Sequence, residues 1–200
     1  MGIPAIQNLP DCFDTERLIV RAYHPGDGAM YQAVGMRNHA HLQRYEAQNS
    51  VLKPQNAAEG EALIGEYMAG WAAGRYFMLG AFERVTGDFV CQIYVGTVRW
   101  ETPEFEVGYF ADCEHEGKGY VSEALRAALG FVFEHLGAHR VRLECSDTNT
   151  RSMRVAERNG FTREAHLREN QREADGSYSG TLIYGLLRAD YQNRLNPKTA

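Results

Sequence analysis

Glu116-Gly117-Lys118-Gly119-Tyr120-Val121-Ser122 stands where a strand-like stretch gives way to the strongest helical pattern in the chain. Downstream of it Val121, Ala124, Leu125, Ala128, Leu129, Val132, Phe133 and Leu136 recur at spacings of three and four, and Gly137 closes the run. That period predicts one apolar helical face packed on a core. The first turn of such a helix carries amides with no partner inside it, and the aligned peptide dipoles add partial positive charge there. Glycines at 117 and 119 let the main chain come close to an anion. A phosphate-binding turn follows, of a kind the residues themselves narrow. A P-loop needs Gly-Lys-Ser/Thr, and Gly119 is followed by Tyr120, so that reading fails. Gly117-x-Gly119-x-x-Ser122 comes close to a dinucleotide fingerprint, but such a turn opens its fold, and here only about eighty residues follow it. A glycine-rich helix start without any ligand stays open on these residues alone.

Working outward, three stretches upstream read as strands: Tyr76–Glu83, Phe89–Trp100 and Glu104–Ala111. Thr86-Gly87-Asp88 and Glu101-Thr102-Pro103 supply turns between them, which predicts an antiparallel meander. Residues 17–23 form a first strand, and 28–37 and 57–73 read as helices. Asn38 to Asn56 has no clean period and is expected to be an irregular or short-helical lid. Downstream, Val141, Leu143 and Cys145 alternate with Arg142 and Glu144 as a half-buried strand. A short helix from about Thr150 to Asn159 ends at Gly160. Strands near Phe161–Arg168 and Tyr178–Arg188 flank the Asp175-Gly176 turn. The order predicts an α/β fold, a mixed sheet with helices on both faces.

Bulk properties bound the function. The 200 residues suit a single core, and 44% hydrophobic with 24% charged residues is ordinary for a globular protein. No stretch approaches the roughly 20 apolar residues of a membrane span. The start, MGIPAIQNLPDCFD, lacks the pattern of a signal peptide, and Met1-Gly2 without the usual Ser/Thr does not make a myristoylation site. The expectation is a cytoplasmic protein with no membrane partner. A formal net charge of −5 argues against nucleic acid and mildly favours cationic partners such as amines. Cys12, Cys91, Cys113 and Cys145 are scattered without a CxxC pair, and His39 and His41, two apart, fall on different faces of a helix. No metal is expected.

Set together, the motifs resemble the GNAT superfamily of N-acetyltransferases, and within it the RimJ/RimL-like branch of ribosomal-protein N-terminal acetyltransferases. The opening Thr15-Glu16-Arg17-Leu18-Ile19-Val20-Arg21 is similar to that branch, as are Glu106-Val107-Gly108-Tyr109-Phe110 and Gly117-Lys118-Gly119-Tyr120 followed by Ser122-Glu123-Ala124-Leu125. Asn149 with Ser152, Asn159-Gly160-Phe161 and Tyr184-Gly185-Leu186-Leu187 follow in family order, so the resemblance spans roughly residues 15–191. Residues 1–14 are then an N-terminal extension and 192–200 a tail. The chain departs from the pattern at Cys113, His115, Glu116 and Val121, and at Gly180, where the branch often has an aspartate.

The resemblance implies a mostly antiparallel sheet in which the strand ending at Ala111 splays from the one starting near Val141, with acetyl-CoA held in the gap as cosubstrate. Glu116, Gly117, Lys118, Gly119, Tyr120, Val121 and Ser122 would bind its pyrophosphate. Backbone groups of Tyr109, Phe110 and Ala111 would hold the pantetheine arm, with Asn149 and Ser152 contacting it from the other side. The acceptor is a primary amine, either a ribosomal-protein or other peptide N-terminus or a small amine such as an antibiotic or polyamine, attacking directly in a ternary complex. The general base is expected at Glu106, with Glu169 as second candidate. Ser152 is the candidate partner of the leaving thiolate, since Ala156 stands where related enzymes often have a tyrosine. An acetyl-Cys113 intermediate is a lesser alternative, and so is a CoA-binding module without catalysis. Monomer and homodimer both fit. Tyr45, Trp71 and Trp100 are expected to pack the core or lid, with Tyr45 lying in the acceptor-binding region.

Overall fold

The computed structural model of the chain describes residues 8–173 and 175–196. Residues 1–7 of the expected extension and 197–200 of the expected tail lie outside the described residues. Eight strands form one sheet: β1 (Cys12–Asp14), β2 (Leu18–Ala22), β3 (Tyr76–Glu83), β4 (Phe89–Arg99), β5 (Glu104–Ala111), β6 (Arg140–Ser146), β7 (Thr162–Arg172) and β8 (Tyr178–Leu187). Their spatial order is β1-β2-β3-β4-β5-β6-β8-β7. Every neighbouring pair is antiparallel except β5 and β6, which run parallel. The helices are α1 (Gly28–Leu42), α2 (Ala57–Ala72), α3 (Tyr120–Gly130), α4 (Thr150–Arg158) and α5 (Arg188–Leu195). The mixed, mostly antiparallel sheet with helices on both faces is as the sequence predicts.

Strand alternation sorts the core into two layers. Phe77, Leu79, Ile93, Val95, Phe105, Val107, Val141 and Leu143 point to the face covered by α3 and α4. Met78, Phe82 and Phe110 point the other way, toward α1 and α2, which contribute Tyr31, Val34, Ile64 and Tyr67. Trp71 packs on Phe77 and Phe131, and Trp100 on Phe105, so both tryptophans fill core space.

Four local details differ from the sequence-based expectation. Helix α1 runs to Leu42, five residues beyond 37. Its buried positions Tyr31, Val34, Gly35, Asn38 and Leu42 keep helical spacing, but two of them are not apolar and break the hydrophobic pattern. Gly35 is small because the Val51 carbonyl lies against it, and Asn38 is polar because it bonds the Asp112 carboxylate and the Cys113 amide. The long helix predicted through Leu136 ends as α at Gly130 and continues as a π turn over Phe131–His135, where Leu136 N–H donates to the Phe131 carbonyl at 3.2 Å. Ordered elements also cross both expected limits of the domain. Strand β1 pairs with β2 inside the 1–14 stretch, and α5 carries structure to Leu195, with Tyr191 stacked on Phe133 at 4.6 Å. No helix among the described residues is long and apolar enough to cross a membrane.

Candidate active site

The turn at 116–119 is shaped by its glycines. Gly117 has φ 74° and Gly119 φ 81°, and a Cβ at Gly117 would meet no atom within 4 Å. Conformation, not space, is what these two positions require, because L-residues with side chains rarely adopt the left-handed region. Gly119 is the N-cap of α3 and supplies no side-chain cap. The first intrahelical bond is Glu123 N–H to the Gly119 carbonyl at 3.2 Å, so the amides of Tyr120, Val121 and Ser122 have no protein acceptor among the described residues. The Tyr120 ring is buried, its hydroxyl donating to Glu83 at 2.6 Å, and Ser122 is buried as well. Those residues therefore offer a ligand their main chain.

Thr15, Arg17 and Glu123 brace this turn. The Glu123 carboxylate accepts from the Thr15 hydroxyl at 2.6 Å, the Arg17 amide at 2.9 Å and the Arg17 Nε at 2.7 Å. Burial works against that charge, but the hydrogen bonds and the guanidinium outweigh it and hold the carboxyl below its ordinary range. Arg17 also donates to the Lys118 carbonyl at 3.0 Å and lies over the Tyr120 ring at 4.7 Å. The Thr15-x-Arg17 opening and the Glu123 of Ser122-Glu123-Ala124-Leu125, more than a hundred residues apart, thus fix one turn together. Lys118 is exposed. Glu116 is engaged by Arg151 of α4 at 2.5 Å and His41 of α1 at 3.4 Å.

A gap opens beside the turn. The parallel register of β5 with β6 runs only from Glu104↔Arg140 to Val107↔Leu143. Gly108–Ala111 stay paired to β4 and Glu144–Ser146 to β8, so each strand keeps its outer neighbour while the inner edges part. Unpaired strand edges are docking sites for an extended ligand. Tyr109 reaches across to α4: its hydroxyl hydrogen-bonds Ser152 Oγ at 2.8 Å, with either oxygen able to donate, and lies 3.1 Å from the Ser152 carbonyl as a second acceptor. Asn149 caps α4, accepting from the Ser152 amide at 3.1 Å. Burial pushes the Tyr109 phenol far up, so it stays protonated as a hydrogen-bond donor.

On the opposite face Glu106 accepts from Arg142 at 2.7 Å and from the Tyr94 hydroxyl at 3.3 Å. Burial first, and the Glu106 charge second, push the Tyr94 phenol up to about 12. The structure thus brings Tyr109, Asn149 and Ser152 together on one side of β5 and sets Glu106 on the other. Glu169 is exposed, at φ 52°, where the β7 register shifts between Leu167 and Gln171 on the outermost strand. The Cys113 thiol donates to the Arg37 carbonyl at 3.6 Å, and burial with the Asp112 charge pushes it up, which lowers its thiolate fraction.

Two features were missed in the sequence. The Tyr109 side chain was read only for its backbone, because nothing local says that a strand tyrosine meets the start of a helix forty residues on. Gly180 was a bare departure, and here its reason is visible. A side chain there would strike the Asp147 carboxylate, the His166 imidazole and the Leu167 carbonyl. Asp147 and His166, bonded at 2.8 Å, fill that space.

A family model described as an acetyltransferase (GNAT) domain matches residues 17–162. The probable N-acetyltransferase YjcK of Bacillus subtilis (strain 168) is 34% identical over 84 residues, 42% of this chain and 46% of that protein. The putative ribosomal N-acetyltransferase YdaF of the same organism is 32% identical over 87 residues, 44% of this chain and 47% of that protein. The chain spans about half the length of the curated relatives it matches. Among solved structures, Mycobacterium smegmatis RimJ in complex with CoA-disulfide superposes with a TM-score of 0.77 at 19% identity, covering 90% of this chain and 88% of that one. At that identity the likeness speaks for the fold alone. With the braced turn, the parted strands and a family match over 17–162, the chain belongs to the GNAT acetyltransferase domain family.

Proposed function

We propose that the protein transfers an acetyl group from acetyl-CoA to a primary amine by direct attack in a ternary complex. The parting of β5 from β6 beside the uncapped start of α3 carries this reading, because it offers an unpaired strand edge next to free amides. Those amides, in the segment Glu116 to Ser122, fit the pyrophosphate, and the edge of Tyr109, Phe110 and Ala111 fits the pantetheine arm. Acetyl-CoA supplies the activated thioester when bound. A main-chain amide on the β5 edge polarises the carbonyl that takes on charge. The Tyr109–Ser152 pair, with Asn149 holding the helix start, donates a hydrogen bond to the departing sulfur. Glu106, on the acceptor side, removes the proton of the incoming ammonium, and Glu169 is the second candidate.

The acceptor belongs to the class of peptide N-termini or small amines, and the reaction is placed in the cytoplasm, by a monomer or homodimer. YdaF, as a putative ribosomal N-acetyltransferase, makes ribosomal-protein N-termini the first acceptors to try. The test is release of free CoA thiol from acetyl-CoA across N-terminal peptides, polyamines and amine-bearing antibiotics. Amine-dependent release is expected. Thermal stabilisation by acetyl-CoA without release on any amine would assign a binding module instead.

A further inference from the structure

Three carboxylates near the β5–β6 gap carry cations of their own. Glu106 is paired with Arg142 at 2.7 Å, Asp147 with His166 at 2.8 Å and Glu116 with Arg151 at 2.5 Å. Glu46 has no cationic partner among the described residues, and its side chain accepts one hydrogen bond, from Asn49 Nδ2 at 3.1 Å. It is half-buried. The preceding residue, Tyr45, donates its hydroxyl to the Thr148 carbonyl at 3.2 Å, which ties this segment to the corner between β6 and α4. The main chain is held too: the Glu46 amide donates to the Leu42 carbonyl at 2.7 Å, and its carbonyl accepts from the Asn49 amide at 2.9 Å. Its charge also reaches the Tyr109 phenol, adding to the larger effect of burial there.

A desolvated anion without a counter-charge costs stability, and folding does not remove that cost here. The carboxyl accordingly sits above its ordinary range, through desolvation eased by the Asn49 bond. A ligand that brings positive charge removes it. We propose that Glu46 is the seat of the acceptor's ammonium group, selecting cationic amines. The inference rests on the acetyltransferase reading, which makes an amine the second substrate. Recognition then falls to Glu46 and proton removal to Glu106, on separate side chains.

Calorimetric titration of the CoA-loaded protein with spermidine, ethylamine and an alanine-initiated tetrapeptide tests this, in wild type, Glu46→Gln and Glu46→Asp. At least one probe is expected to bind wild type and to weaken tenfold or more in Glu46→Gln, with partial recovery in Glu46→Asp and CoA affinity unchanged within twofold. The Glu46→Gln apoprotein is expected to melt at the same or a higher temperature, since the uncompensated charge is gone. Equal amine binding in wild type and Glu46→Gln, no binding of any cationic probe, or a lower melting temperature in Glu46→Gln would each overturn the proposal. Failure of the wild type to bind CoA at all would instead overturn the acetyltransferase reading.

Discussion

Gly119 decides whether the turn can form. Its φ of 81° lies where a Cβ costs about 1–2 kcal/mol, although the nearest atom to that Cβ, on Arg17, is 3.6 Å away. Gly119→Ala is therefore expected to lower stability by about that amount and to weaken acetyl-CoA binding more than tenfold, read by thermal denaturation and calorimetry. Tyr109 is the residue the sequence hid. Tyr109→Phe keeps the ring and removes the hydroxyl that meets Ser152 at 2.8 Å. With a hydrogen bond to a developing thiolate worth about 1.5–3 kcal/mol, kcat should fall roughly 10- to 100-fold while the KM for acetyl-CoA moves little. Unchanged kcat would remove Tyr109 from the chemistry. At this scale the glycines were legible because they act through their own backbone angles. Tyr109 and Glu46 were not, because their meaning lies in partners that only the fold supplies.

At the scale of elements, the brace between the chain opening and α3 is the feature to test. Glu123 is held below its ordinary range mainly by Thr15 and Arg17, against the opposing effect of burial. Its native pKa is below its unfolded one, so its stabilisation is complete above the unfolded value, about 4.3, and is lost as pH falls through the native value. Glu123→Gln should therefore cost about 1–2 kcal/mol at pH 7, with a difference from wild type that shrinks on acidification, measured by urea denaturation at each pH. A pH-independent difference would contradict the ion-pair account. Helix α3 was plain from its period. The last turn and a half of α1 was not, since Gly35 and Asn38 occupy its buried face for reasons of close approach and hydrogen bonding. Strand β1 and helix α5 are short and polar, and tertiary pairing rather than pattern brings them into order.

For the whole molecule, the order of elements was readable because turn residues and changes of period mark each boundary. The gap was not readable from pattern. Gly108–Ala111 and Glu144–Ser146 look like any strand ends, and the structure alone gives the register that stops at Val107 and Leu143. The account joins that gap to the turn at Glu116–Ser122 as a single acetyl-CoA site, and titration calorimetry addresses the joint claim most directly. Wild type and Gly119→Ala would be titrated with acetyl-CoA and with NAD. The account predicts saturable binding of acetyl-CoA to wild type with one site per chain, at least tenfold weaker binding to Gly119→Ala, and no response to NAD. Binding of NAD, or acetyl-CoA affinity indifferent to the substitution, would contradict it.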